Sequence, residues 1–152
     1  MAEAVKAVSD LSGADANNGK KMFQAVLCSE CHTYAGSGGS SGPELTQLAN
    51  RFTKEDILKA IIEPSEVISD QYTTTDLHMN TGSVMSGKIM KEDDEFIHLA
   101  MSPFDYSVQT KVRQEDVKKR SKSKISTMPP SLINALSEKE LKDLMLFLTK
   151  SN

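Results

Sequence analysis

Residues 28–32 constrain this chain more than any other stretch. They read Cys-Ser-Glu-Cys-His, and Cys28 and Cys31 are the only two cysteines in the sequence. Two thiols at this spacing can form thioethers with the two vinyl groups of one porphyrin, and the adjoining His32 imidazole can then bind the iron. The run is typical of the attachment site of a c-type haem, so it predicts that both cysteines hold one haem covalently.

The cysteine pair has two other possible uses. A structural zinc site generally needs four Cys or His ligands, whereas the sequence has three histidines and no second Cys-x-x-Cys. A thioredoxin-like disulfide motif follows a strand in a βαβ pattern. Here the pair follows a helical stretch in which Met22, Phe23 and Val26 share one face. The residues therefore favour haem attachment over both alternatives.

Composition limits the partners and the location. The chain has 152 residues, 38% hydrophobic and 26% charged, and no stretch reaches the length of a membrane span. Its net charge of -3 gives no general affinity for nucleic acid, and we expect none as a partner.

Residues 1–16 are expected to be a flexible leader, without the features of a signal peptide. Because haem attachment is normally completed outside the cytoplasm, we expect a periplasmic or otherwise exported protein whose signal, or parent chain, is missing from this sequence.

A helical domain with a β insertion is the predicted architecture. Helices are expected from residue 17 or 18 to Cys28, from a capping box at Thr53 to Pro64, and from a capping box at Ser137. In residues 72–112 the pattern changes to four short runs bounded by turn signals, which favours strands. We therefore predict one domain over residues 17–150, with residues 72–112 as an inserted β module that forms a small antiparallel sheet or barrel.

These motifs together resemble a class I c-type cytochrome. The resemblance rests on Gly19-x-x-x-Phe23, the Cys-x-x-Cys-His run, Gly42-Pro43-x-Leu45, Met128-Pro129 and Leu144-x-x-Phe147-Leu148. It is closest to the planctomycete and verrucomicrobial type of haem-binding domain, whose recurring stretches are similar to residues 51–52, 62–65, the predicted strand region with Gly82 and Gly87, and residues 126–129. The resemblance implies a mainly α cytochrome c fold of haem-enclosing helices, with the β module inserted before the methionine loop.

The resemblance also implies a role for each site residue. Cys28 and Cys31 attach a single haem c, and His32 is the proximal ligand of its iron. Met128 is the distal ligand. The Pro43 carbonyl accepts a hydrogen bond from the His32 ring, which makes the imidazole a better donor to iron.

From the residues alone, the sixth ligand of the iron stays open. Met128 is favoured because the two prolines after it stiffen its loop, so less entropy is lost when the thioether is held on the iron. The other methionines fall on apolar helix faces or among the predicted strands, where packing is the ordinary role. His78 and His98 lie inside predicted strands and are weaker candidates.

The sixth ligand decides the expected function, because a haem with two strong protein ligands mostly transfers electrons. We expect a non-enzymatic one-electron carrier, either free or as the relay domain of a larger redox protein. The alternatives are a haem-based small-ligand sensor or weak peroxidase, and a haem-free binding module in which the cysteines form a disulfide.

The expected partners are redox proteins. Residues 111–124 end strongly basic, and Lys118, Lys119 and Arg120 are either solvated surface or a docking patch for an acidic redox partner.

Overall fold

The computed structural model describes residues 2–150. The chain forms two compact units, the first from residues up to 67 together with those from 128 onwards, and the second from residues 68–127. Helices account for only about a third of the chain, and a sizeable antiparallel sheet is present. The predicted mainly α fold is therefore confirmed only in part, and the β unit is longer at both ends than the predicted residues 72–112. Within residues 2–150, no helix is long and apolar enough to cross a membrane.

The first unit is built from helices. They are α1 (Ala2–Ser9), α2 (Ala16–Ala25), α3 (Cys28–Cys31), α4 (Lys54–Ile62) and α5 (Glu138–Thr149), with a short antiparallel pair β1 (Thr33–Tyr34) and β2 (Ser37–Gly38). The capping boxes predicted at Thr53 and Ser137 are both present. In each, the side chain of the capping residue accepts a hydrogen bond from a free backbone N–H of the first turn, which fixes where the helix starts.

Helices α2 and α5 cross at Gly19. A Cβ at this position would lie 2.0 Å from the Asp143 carbonyl oxygen and 2.7 Å from the Phe147 Cβ, so only glycine permits the approach. One helical turn further on, the Phe23 ring packs on the Phe147 ring with centroids 5.5 Å apart. The two helices therefore pack against each other at Gly19 and Phe23.

A buried carboxylate ties the start of α2 to α5. The Asp143 side chain is fully buried and accepts hydrogen bonds from the Asp15 backbone N–H at 2.7 Å, the Asn18 amide at 2.8 Å and the Lys139 ammonium at 2.9 Å. Burial acts to raise the pKa of Asp143, but these donors outweigh it and hold the pKa below its ordinary value. The carboxylate is therefore stabilised in its charged form by folding.

The first residues of the chain differ from the predicted flexible leader of residues 1–16. Residue 1 lies outside the described residues, but Ala2–Ser9 forms α1, and the Val8 side chain is completely buried in the core of the first unit. Val5 and Ala4 pack against the same core. This helix is stabilised by packing of a short apolar face against the core. The apolar residues of that face are too few to give a recognisable helical pattern in the sequence.

The second unit is a five-stranded antiparallel sheet. Its strands are β3 (Thr75–Met79), β4 (Val84–Glu92), β5 (Phe96–Ala100), β6 (Thr110–Arg113) and β7 (Val117–Lys122), in the order β6-β5-β4-β3-β7. One face carries a small core of Leu77, Ile97, Leu99 and Val112. The four strands expected in residues 72–112 are thus present, and β7 is an addition to them.

The basic stretch at residues 118–120 is part of this fifth strand. Arg120 faces Leu77 across the β3–β7 ladder, and its guanidinium binds the Glu92 carboxylate at 2.7 Å and the Gln114 side-chain oxygen at 2.6 Å. Lys119 faces His78, on the opposite side of the sheet. Lys119 and Arg120 therefore lie on opposite faces of the sheet, and the register is irregular at Lys118, which has no partner in the ladder.

We expect Gly19→Ala to lower the free energy of unfolding by about 1–3 kcal/mol, because the added methyl group overpacks the helix crossing. Alanine in a helix is otherwise favoured over glycine, so a loss would report the contact itself. Denaturant unfolding measures it, with Lys20→Ala at the neighbouring exposed position as the control. Equal stability of the two variants would contradict a close crossing.

We expect Asp143→Asn to lower the free energy of unfolding by about 1–3 kcal/mol at neutral pH, since a buried carboxylate that accepts three hydrogen bonds is lost. Because the folded-state pKa lies below the ordinary value of 3.8, this stabilisation is present above pH 3.8 and is lost as pH falls through the folded pKa. Urea unfolding over a pH series should therefore show parent and variant converging in acid. Glu138→Gln, which removes an exposed carboxylate that pairs with Lys142 on the same helix, should change stability by less than about 0.5 kcal/mol.

Candidate functional site

The cysteine pair lies on a single helical turn that follows a sharp bend. Helix α2 ends at Ala25, and Leu27 adopts a left-handed backbone conformation with φ of 64° before α3 begins at Cys28. The Cys28 side chain is buried and the Cys31 side chain is half-buried, and both thiols are free. Burial raises the pKa of the Cys28 thiol to about 11, so this thiol is protonated at neutral pH.

The His32 ring is held in one orientation. Its Nδ1–H donates a hydrogen bond to the Pro43 carbonyl oxygen at 2.7 Å. Burial lowers the pKa of His32, and the bond to Pro43 opposes that shift without cancelling it. The ring is therefore neutral at neutral pH, with its proton on Nδ1 and a lone pair on Nε2, which is the form that binds a metal ion.

A glycine-rich loop wraps back onto this turn. The Gly39 N–H donates to the Ser29 carbonyl and the Gly42 N–H to the Cys31 carbonyl, both at 2.8 Å. A Cβ at Gly42 would lie 2.7 Å from Cε1 and 2.9 Å from Nδ1 of His32. Gly42 therefore allows the loop to lie against the imidazole while Pro43, the next residue, accepts its hydrogen bond.

The predicted site residues all belong to the first unit. Cys28 and Cys31 lie on the same helical turn, His32 follows it and is hydrogen-bonded to Pro43, and the half-buried Met128 packs against the same hydrophobic core that contains Cys28. The weaker candidates His78 and His98 lie in β3 and β5 of the second unit. The second unit also contains four methionines, Met79 in β3, Met85 and Met90 in β4, and Met101 directly after β5.

The cytochrome c family model matches residues 16–96, more than half of the chain. The chain belongs to the cytochrome c family. Members of this family bind haem c covalently, and their family points to haem-based electron transfer. Among proteins of curated function, none matches this cytochrome c. The matched residues include the Cys-x-x-Cys-His run and Pro43 but end before Met128, so the family match says nothing of the sixth ligand.

The donor groups of this cytochrome c fit a covalently held haem. Two free thiols lie on one helical turn, and a neutral imidazole with Nε2 unprotonated directly follows them. Cys28 and Cys31 would hold the ring and His32 would bind the iron. Within residues 2–150, no group of three or more His, Cys, Asp or Glu side chains could hold a metal ion, so the zinc alternative finds no ligand set in the described part of the chain.

Sequence reasoning missed two features of the site. The first is the contact of Gly42 with the imidazole, which the Gly42-Pro43 pair signals only as a turn. The second is Ser41, whose hydroxyl is buried with no hydrogen-bond partner among the described residues. Neither feature has a distinctive sequence pattern, because each arises from how the loop folds back on α3.

We expect Gly42→Ala to weaken the bond between His32 and Pro43 and to raise the reduction potential, because a poorer imidazole donor stabilises the ferric iron less. The same change should lower the free energy of unfolding by about 1–3 kcal/mol through overpacking. Voltammetry and denaturant unfolding of the haem-loaded protein measure the two effects. Ser41→Ala, which removes the buried unpartnered hydroxyl next to it, should leave the reduction potential nearly unchanged and should keep or slightly raise the free energy of unfolding. A Gly42→Ala protein with parent values would contradict a positioning role.

Proposed function

We propose that this cytochrome c carries single electrons through one haem attached to Cys28 and Cys31, with His32 and Met128 as the axial ligands. The haem, when bound, supplies one-electron exchange between ferrous and ferric iron. The observation that carries the proposal is the fixed His32 ring, whose Nδ1–H is bound to Pro43 so that Nε2 is left for the iron. The adjacent free thiols supply the covalent attachment.

Three observations support Met128 as the distal ligand. It belongs to the same unit as His32, it is half-buried, and it packs against the core that contains Cys28. Met145, another methionine of this unit, is fully buried in the middle of α5 and serves the core. Met128 instead precedes two prolines, which restrict its loop and lower the entropy lost on ligation.

The surrounding residues set how the site works rather than performing bond chemistry. The bond from His32 to Pro43 keeps the imidazole in one tautomer and strengthens it as a donor. A thioether ligand and burial both favour the ferrous form and so raise the reduction potential. If His32 and Met128 both hold the iron, the protein would leave no position on it for a substrate, which is the arrangement expected of an electron carrier that is not an enzyme.

We infer that the protein works with an electron donor and an electron acceptor, as a free carrier or as the relay domain of a larger redox protein. Cytochrome c domains are commonly exported, which supports a periplasmic or otherwise exported location. The similarity to the planctomycete and verrucomicrobial haem-binding domains belongs to the same proposal. It rests on the stretches at residues 51–52, 62–65 and 126–129 and on the strand region with Gly82 and Gly87.

The deciding experiment is the visible spectrum of the haem-loaded protein and of Met128→Ala. The parent should be low-spin, with a long-wavelength methionine-to-iron charge-transfer band in the oxidised form, since thioether ligation produces both. The variant should lose the band, become high-spin or accept an added ligand, and shift in potential. Met22→Ala is the matched control, because Met22 packs against the same core from α2 and should keep the parent spectrum.

An unchanged spectrum in Met128→Ala would contradict Met128 as the ligand. A parent protein that is high-spin and binds carbon monoxide or cyanide without displacement of a ligand would overturn the carrier function in favour of the small-ligand sensor or weak peroxidase. Absence of covalently bound haem after expression with a c-type maturation system would return the chain to the haem-free binding module.

A further inference from the structure

We propose that one face of the five-stranded sheet is a docking surface for a protein with a carboxylate-rich contact area. This surface, the cationic face, is the side of the sheet opposite to the Leu77 core. Its positively charged side chains are Lys88 and Lys91 on β4, Lys111 and Arg113 on β6, and Lys119 on β7.

The strand register brings these cations together although they are far apart in sequence. Lys119 pairs with His78, Lys91 pairs with His98, and His98 pairs with Lys111. Directly paired residues lie on the same side of a sheet, and side chains two apart on one strand share that side. Lys88, which pairs with the buried Ala100, and Arg113, which pairs with Phe96, extend the same face.

Most of this positive charge is not neutralised by the unit itself. Within the described residues, Lys88, Lys91, Lys111 and Lys119 have no carboxylate at ion-pair distance, and all four are exposed. Arg113 is paired with Glu115 at 2.7 Å. Asp76 is the one carboxylate that the register of the described strands puts on this face, and it accepts a hydrogen bond from Ser86 at 2.6 Å. Asp93, in the turn before β5, is near enough to Lys111 for their charges to attract, although the two form no ion pair.

The opposite face shows a different arrangement. There Arg120 is held by Glu92 across the apolar core, so its charge is already compensated inside the unit.

Like charges gathered on the cationic face repel each other and weaken the sheet slightly. A partner that brings carboxylates to the cationic face would remove that repulsion and gain attraction at the same time, which is electrostatic complementarity of the kind that steers protein association.

The aromatic rings beside these cations favour a protein partner over a nucleic acid. The Lys111 ammonium lies 3.8 Å from the centroid of the Phe96 ring, with the Arg113 guanidinium 6.0 Å from it, and the Lys88 ammonium lies 5.0 Å from the centroid of Tyr106. Single-stranded nucleic acids bind such sheets by stacking bases on uncovered rings. Here the rings carry the protein's own cations, whereas carboxylates need only the ammonium groups.

The five strands set the size of the surface. Neighbouring strands lie about 4.8 Å apart, so the cations of β6 and β7 lie roughly 19 Å from each other across the sheet. That distance suits several carboxylates on one globular partner, and no single small anion could bridge it. The proposal does not depend on haem ligation, since it concerns binding and involves only residues of the second unit.

The test is binding of the full-length, haem-loaded protein to a helical peptide with glutamates along one face. The matched probe has glutamine in place of each glutamate, and a single-stranded oligodeoxynucleotide of equal charge is the competing polyanion. Affinity is measured by fluorescence anisotropy at low and at high salt. Lys88→Glu, Lys111→Glu and Lys119→Glu are combined in one variant, and Lys6→Glu, Lys20→Glu and Lys21→Glu, at exposed positions of α1 and α2, form a control of equal charge change.

We expect the parent to bind the glutamate peptide in preference to both other probes, and salt to weaken that binding. The cationic-face variant should lose about tenfold or more in affinity at low salt, whereas the control should lose much less. A second variant replaces the same three lysines with glutamine, so it adds no negative charge to the sheet, and it should lose part of the affinity. It shows whether the loss in the glutamate variant comes from the missing positive charge or from misfolding. Equal losses in the face variant and the control, or tighter binding of the oligonucleotide than of the glutamate peptide, would overturn the proposal.

Discussion

The contact between α2 and α5 at Gly19 is the interaction on which the first unit depends. These helices belong to chain segments separated by the whole second unit, and they meet so closely that a Cβ at Gly19 would lie 2.0 Å from the Asp143 carbonyl oxygen. The same crossing includes the buried Asp143 carboxylate, which binds the start of α2. Helix α2 leads directly into the turn that carries Cys28, so the site is positioned by this long-range packing as well as by its own local sequence.

Features that are local in sequence were predictable. The Cys-x-x-Cys-His run, the capping boxes at Thr53 and Ser137, and four of the five strands of the second unit depend on residues close together in the chain. Helix α1 was not predicted, because its burial of Val8 depends on partners elsewhere in the fold. Strand β7 was missed because its residues, Val117 to Lys122, are almost all exposed and basic, so the alternation of apolar and polar residues that signals a strand is lacking.

The candidate site shows the same limit. The identity of the thiols and of His32 follows from spacing, and the hydrogen bond from His32 to Pro43 is present as the resemblance implied. The approach of Gly42 to the imidazole depends on how a loop folds back, and no pattern of residues encodes it. Likewise, Lys88, Lys111 and Lys119 are far apart in sequence and share a face only because the strand order and register put them there. The sequence left the basic residues 118–120 as either solvated surface or a docking patch, and it gave no sign that β7 puts Lys119 and Arg120 on opposite faces of the sheet.

The two ends of the second unit lie side by side and are hydrogen-bonded to each other. Its first and last strands, β3 and β7, are antiparallel neighbours; Thr75 pairs with Lys122, and the Ser123 N–H donates to the Thr74 carbonyl at 2.9 Å. A disordered insertion of this length would make it entropically costly to bring the flanking segments together, whereas a folded insertion with adjacent ends acts as a short connection. The helical unit can thus tolerate a large interruption between the segments that carry its two proposed iron ligands. By the same reasoning, other folded inserts with adjacent termini could be exchanged at this position, which makes the interruption a natural site for grafting new modules.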